Sequence, residues 1–217
     1  MIRTVVFSFK EFIMYGVLKS SQNTGLDTEL QYVFATPLLV KSNQPAYVSD
    51  TLSLKRKVNS QNVQRWEIEA EIVPTNDSPN VLIHTTKNGF SEVFFIRMPQ
   101  VYTPVKIRQT SILSLTNTVF KGATQLNITD LGSLDLTGQF INFEGNSKVY
   151  LVTYKGVNGV GVEITPPLLT NFAQDTKIIY GDKVTMHARY DIDTQLGITY
   201  TDGVLSSPGT FKFVEAL

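Results

Sequence analysis

Residues 139–165 read QFINFEGNSKVYLVTYKGVNGVGVEIT, and this stretch decides the fold. Three runs rich in β-branched and aromatic residues lie in it: Gln139 to Phe143, Lys148 to Tyr154 and Val160 to Thr165. Glu144-Gly145-Asn146-Ser147 separates the first two, and Val157-Asn158-Gly159 the last two. Gly-Asn and Asn-Gly supply the positive φ angles that hairpin turns need, and the runs between them suit a pleated, half-buried surface. A three-stranded meander is expected. It carries no nucleophile, no metal-ligand set and no phosphate loop, so the sequence directs attention to assembly and binding rather than to catalysis.

Outward from the meander, residues 109 to 180 are rich in Thr, Asn, Leu and Gly and read as short strands only. Gln125–Ile128 precedes the meander and Lys177–Tyr180 follows it. Five or six short strands over about seventy residues make a small closed barrel of the OB type. The flanking sequence has a different rhythm. In 63–73, VQRWEIEAEIV, Trp66, Ile68, Ala70 and Ile72 alternate with Val63, Arg65, Glu67, Glu69 and Glu71. That is the pattern of a strand with one dry and one wet face, and it places Trp66 in a core. Segments 26–41 and 45–58 read as strands broken at Pro37 and near Pro45. Segments 91–98, 183–190 and 210–215 read as strands as well.

Asn76-Asp77-Ser78-Pro79 opens a helix over Pro79–Lys87 that stops at Asn88-Gly89, and Glu11–Val17 allows a second short one. The expected fold class is therefore mainly β. A β-barrel or sandwich domain with one short helix is built from 1–108 and 183–217, and an OB-like small β-barrel occupies 109–182. Such insertions occur at exposed loops because a compact domain's ends lie close together. Two separate cores follow from this reading, with Val149 not packed against Trp66.

Composition narrows the function classes. Of 217 residues, 42% are hydrophobic and 11% aromatic, enough for a substantial β core. Only 18% are charged, and Lys+Arg 19 balances Asp+Glu 19, so no global field draws the chain to nucleic acid or an anionic membrane. A lightly charged, neutral surface promotes self-association. Cysteine is absent, which removes disulfides, thiolate metal sites and a Cys nucleophile. The start, MIRTVVFSFKEFIMYGVL, is interrupted by Lys10 and Glu11 and is not read as a signal peptide. No run approaches the eighteen or so apolar residues of a membrane span, so no membrane insertion is expected and a soluble, cytoplasmically made protein is the default.

Each chemical candidate has a plainer explanation. His84 and His187 are the only histidines, and neither has a ligand at metal spacing. Asp191, Asp193 and Asp202 lack the order of a calcium loop. Gly156–Gly161, GVNGVG, lies between two strands with no helix to receive a phosphate and reads as a hairpin turn. Glu67, Glu69 and Glu71 read as a solvated strand face. In Lys55-Arg56-Lys57 only Lys55 and Lys57 share a face, a weak nucleic-acid patch. Asn127-Ile128-Thr129 matches a glycosylation sequon without an export signal. Catalytic, cofactor-binding and metal-binding residues are accordingly none, no cofactor is expected, and the chain is not read as an enzyme.

The scaffold pattern itself carries a resemblance. The runs GQFINFEGNSKVYLVTY (138–154), VEITPPL (162–168) and TYTDGVL…GTFKFVEAL (199–217) resemble the distal tail proteins of tailed bacteriophages. So do QRWEIEAEIVP (64–74) and the apolar strand ending in Met98-Pro99. The resemblance covers most of the chain as a pattern. It implies a structural virion protein of the tail tip, assembling with itself into a hexameric ring that joins the tail tube to the hub or receptor-binding apparatus. The expected partners are tail tube and tail hub or baseplate proteins, with DNA only passing through the lumen. The first 25 residues do not fit a simple strand of the ring domain. They are expected to form an arm reaching a neighbouring subunit or a loop ordered on assembly, with residues 1–20 dispensable for folding.

Two alternatives stand beside this reading. One is another tail tube or baseplate ring protein. The other is a carbohydrate- or oligonucleotide-binding OB module, for which Phe140, Phe143, Tyr150 and Tyr154 are the candidate aromatics and Tyr154 shares a face with Tyr150.

Overall fold

The computed structural model describes residues 15–18, 30–35, 37–50, 56–60, 63–73, 93–99, 111–129, 131–132, 134–156, 161–191, 199–201, 204–207 and 209–217. Its strands are β1 (Gly16–Leu18), β2 (Leu30–Val33), β3 (Leu39–Asn43), β4 (Ala46–Asp50), β5 (Arg56–Ser60), β6 (Arg65–Glu71), β7 (Phe94–Arg97), β8 (Leu113–Ser114), β9 (Gln125–Asn127), β10 (Phe140–Phe143), β11 (Tyr150–Lys155), β12 (Gly161–Thr165), β13 (Lys177–Tyr180), β14 (Thr185–Tyr190), β15 (Thr199–Thr201), β16 (Val204–Ser207) and β17 (Thr210–Glu215). Helical structure among the described residues is one 3-10 turn, Gly181–Lys183. The mainly β class expected from the sequence is what the structure shows.

One seven-stranded antiparallel sheet runs in the order β2-β1-β7-β14-β17-β6-β3. Its dry face follows directly from period-two alternation. Trp66, Ile68, Ala70 and Ile72 on β6 and its continuation are buried, and so are Phe94 and Ile96 on β7 and Phe211 and Phe213 on β17. Phe213 is the hub, with ring centroids 5.8 Å from Phe34, 5.5 Å from Phe94 and 6.2 Å from Tyr190. The sheet also curls until its edges meet. Residues 30–43 run first along β1 and then, past Pro37, along β6. At the crossover Phe34 donates to Tyr15 O at 2.9 Å, Ala35 to Glu71 O at 2.7 Å and Val73 to Val33 O at 2.8 Å.

The second sheet, β8-β13-β10-β11-β12-β9, has six strands and contains the meander. The expected turn is present, with Gly145 at φ 77. Its edges are stitched together by a Leu115–Ile128 bridge, flanked by Thr116 N–H to Asn127 O at 3.0 Å and Thr129 N–H to Ser114 O at 2.8 Å. The result is a small closed barrel with no free backbone edge at that seam. Phe143, Tyr150, Val152, Ile178 and Tyr180 fill its interior, and Phe143 stacks on Phe172 with centroids 4.1 Å apart.

Two expectations need correction. Gly16–Leu18 is a strand, not the end of a helix over Glu11–Val17, and it lies between β2 and β7 with Val17 2% exposed. Three consecutive apolar residues carry no period, so their place inside a sheet left no mark on the sequence. These residues of the proposed arm are therefore core. The second correction concerns Trp66 and Val149. Trp66 is buried as expected, but it packs in one cluster with Phe140, Val149 and Ile179, so the two cores meet. The helix expected over Pro79–Lys87 lies outside the described residues. No helix among the described residues is long and apolar enough to cross a membrane.

Candidate functional site

The most unusual polar arrangement lies where the two sheets touch. β17 alternates Phe211, Phe213 and Glu215 toward the interior, so period two places a carboxylate on an apolar face. On the other side, Lys148 enters from the turn between β10 and β11, its N–H held by Asn146 Oδ1 at 2.8 Å. Lys148 Nζ donates to Glu215 Oε2, to Gln64 Oε1 at 2.8 Å and to Gln64 O at 2.9 Å. Glu215 also accepts from Val149 N–H at 2.8 Å and from Trp66 N–H at 3.1 Å. Trp66 Nε1–H donates to Val149 O at 2.9 Å, and its ring meets Phe140 edge-on at 5.0 Å.

Every member is removed from water: Gln64 is 3% exposed, Lys148 2% and Glu215 2%. Burial pushes the Glu215 carboxyl above its usual value and the Lys148 ammonium below its own, while the opposite charge of each partner works against both shifts. The three ammonium donors and the carboxylate oxygens are occupied within the protein. Such a group has nothing left to offer a substrate. It can hold two sheets in one relative orientation, because any slip would leave a buried charge unpaired.

A second feature concerns assembly. β3 pairs with β6 in register from Leu39–Glu69 to Asn43–Arg65. Past Gln44-Pro45 the same hairpin continues as β4 and β5, paired from Ala46–Ser60 to Asp50–Arg56. Among the described residues β4 and β5 form a two-stranded sheet of their own, and β3 has β6 as its single neighbour. A two-stranded ribbon is marginal in water by itself, and its outer backbone groups are a template for pairing.

The residues singled out from sequence take these places. His187 lies on β14, its ring 4.5 Å from that of Phe95, with Nε2 buried and without a partner among the described residues; burial holds its pKa below the ordinary value. His84, Asp193, Asp202 and Lys55 lie outside the described residues, and Arg56 and Lys57 are in β5. The glutamate row lies on one polar face, but it is not uniformly solvated: Glu67 is buried, Glu69 half-buried and Glu71 exposed. Glu69 pairs with Lys41 at 2.6 Å, and Glu67 accepts from Asn43 Nδ2 at 2.7 Å. Lys212 bridges Glu67 at 3.4 Å and Asp191 at 2.7 Å. Gly156 and Gly161 face each other across a hairpin, Gly156 N–H donating to Gly161 O at 2.7 Å.

Of the four candidate aromatics, Phe140, Phe143 and Tyr150 are core residues, 4%, 0% and 0% exposed, and Tyr154 is 51% exposed. The expected shared face of Tyr150 and Tyr154 is broken by a bulge between Val152 and Tyr154. An extra residue there reverses the alternation.

Lys148, Gln64 and Glu215 were not visible as a set from sequence. The signal was the parity of Glu215 with Phe211 and Phe213, since a carboxylate on an apolar face demands a buried partner. No protein-family model matches this chain, and no characterised protein matches it at a significant level.

Proposed function

We propose that this protein is a structural component of a phage tail tip that assembles into a ring, with the β4–β5 ribbon as its principal reach toward the neighbouring subunit. The observation that carries this reading is the β3–β6 hairpin running on past its sheet as a ribbon with no further partner among the described residues. A second copy that covers the ribbon's outer edges satisfies the backbone groups it leaves open. The neutral, lightly charged composition lowers the electrostatic cost of bringing copies together. The buried Lys148–Glu215 junction keeps the closed barrel at a fixed angle to the sheet, as a ring with a projecting barrel requires.

In this reading the tail tube and the hub or baseplate proteins are the axial partners, the ring is hexameric, and DNA only traverses the lumen. The resemblance of 64–74, 138–154 and 199–217 to distal tail proteins supports that location. The test is the oligomeric state of the full chain beside a variant in which residues 46–60 are replaced by a two-residue turn. Ring-sized assemblies from the first and monomers from the second are expected. Equal masses would contradict the role of the ribbon.

A further inference from the structure

The junction between the two sheets holds a nucleophile, an electrophile and a proton carrier, all shut off from water. Lys148 Nζ donates to Gln64 Oε1 at 2.8 Å, and the amide carbon lies one C=O bond of about 1.2 Å beyond that oxygen. The nitrogen is therefore within about 4 Å of the carbon, against a reacting distance of about 3–3.5 Å. A small turn of the carboxamide closes the difference. Glu215 Oε2 accepts from the same Nζ, so base and nucleophile already share a proton.

The surroundings favour reaction among these groups. A lysine held out of water is a nucleophile in its neutral form. Burial lowers the ammonium and raises the carboxyl, the direction that moves the shared proton from Lys148 to Glu215. Gln64 is oriented as well. Its Nε2 donates to Ser42 Oγ at 3.2 Å, on the exposed strand β3, so the nitrogen that must leave faces the outside. Glu215 is the other carboxyl group in reach of Nζ, but the Trp66 and Val149 N–H groups hold it as an acceptor. An ionised carboxylate also resists attack by an amine, which leaves Glu215 the part of proton carrier.

We infer that Lys148 and Gln64 join in an ε-(γ-glutamyl)lysine amide, a cross-link that the folded chain makes within itself. The shared proton passes from Nζ to Glu215 Oε2 and leaves a neutral amine. Its lone pair attacks Gln64 Cδ, and the C=O electron pair moves onto Oε1. Glu215 then gives its proton to Nε2 and takes one from Nζ. The Cδ–Nε2 bond breaks as the carbonyl re-forms, and ammonia departs on the Ser42 side. The new amide keeps one proton on Nζ and Glu215 ends as the neutral acid, so the atoms balance with no further reactant. The bond closes a loop between residues 84 apart, ties the barrel to the start of β6 and restricts the unfolded chain. Ion pair and amide are alternative states of the same side chains, and mass tells them apart. This inference does not depend on ring assembly.

The test is intact-mass spectrometry of the full chain after incubation of the folded protein at neutral pH, followed by peptide mapping. A chain lighter by one ammonia is expected, with a branched peptide joining the segments that carry Gln64 and Lys148. The branch separates this step from ammonia lost at an Asn-Gly pair, which joins no peptides. Gln64→Leu, which keeps the Lys148–Glu215 pair, is expected to show β-type circular dichroism and no branched peptide. Glu215→Gln and Lys148→Met are each expected to lose the branch completely. The inference is overturned if the parent chain yields no branched peptide, or if the branch has lost water and joins Lys148 to Glu215. Survival of the branch in Glu215→Gln, or its equal formation in urea, overturns it as well.

Discussion

Lys148 and Glu215 form an ion pair with side chains 2% and 0% exposed, although they stand 67 residues apart in the chain. One comes from the barrel and the other from the last strand of the curled sheet. The pair therefore couples the folding of the C-terminal strand to the placement of the barrel, and its energetics are open to test.

Removing one partner leaves a buried charge. Lys148→Met is expected to cost about 3–5 kcal/mol at neutral pH, read from urea unfolding. The pH dependence has a definite sign. Burial already holds the folded-state value of Glu215 above its unfolded one, and without the ammonium the shift grows. A raised carboxyl favours folding below the ordinary carboxylate range, and that contribution is lost as pH rises through the raised value. The variant's deficit should thus shrink on acidification. Lys148→Met/Glu215→Leu should recover most of the loss. A double variant no better than the single one would show that the pair is not coupled.

Trp66 lies at the same junction. Trp66→Ala is expected to destabilise by about 3–5 kcal/mol through lost contacts and a cavity. Trp66→Phe keeps an aromatic neighbour for Phe140 but loses the hydrogen bond to Val149 O, which costs about 1–3 kcal/mol because a buried carbonyl is left unsatisfied. Thermal unfolding of the two variants separates packing from hydrogen bonding.

His187 gives a second pH signature. Its folded-state pKa lies below the ordinary value of 6.5 because burial disfavours the imidazolium. A depressed pKa contributes stability that is present above the unfolded value and is lost as pH falls below it. Unfolding free energies measured from neutral pH into the acid range should therefore decline less steeply in His187→Phe than in the parent. An unchanged slope would mean that the imidazole is freely solvated.

The termini carry structural weight of different kinds. Deleting 210–217 removes β17 from between β14 and β6 and should unfold the curled sheet. Deleting 1–20 removes β1 from between β2 and β7 and should destabilise it too, contrary to the dispensable arm expected from sequence. The barrel has its own interior cluster, so a fragment of 109–182 is expected to give a β-type circular dichroism spectrum. It should also bind a hydrophobic dye at the uncovered Phe140, Val149 and Ile179. A random-coil spectrum from the fragment would show that the barrel cannot stand without the sheet.

What the sequence disclosed depended on local periodicity. β6 and β17 were legible because apolar and polar residues alternate through them. β1 was not, since three apolar residues in a row have no parity. Tyr154 was placed on the same face as Tyr150 because a bulge is invisible to a period-two count. Lys148 opens a strand after an Asn-Ser turn, and nothing local marks it as buried because its partner lies in a distant strand. The glutamate row was read as a solvated face, and only Glu71 is fully so: Glu67 is 8% exposed, covered beside Asn43 and Lys212 on the neighbouring strands.

The central claim is that the chain works by assembling through the β4–β5 ribbon. Mass photometry of the purified full-length protein, beside the variant lacking residues 46–60, tests it most directly. The account predicts a closed assembly of six copies that vanishes when the ribbon is removed, while the circular dichroism of both proteins stays β-type. A full-length protein that stays monomeric at every concentration, or a ribbon-deleted variant that assembles unchanged, would contradict it.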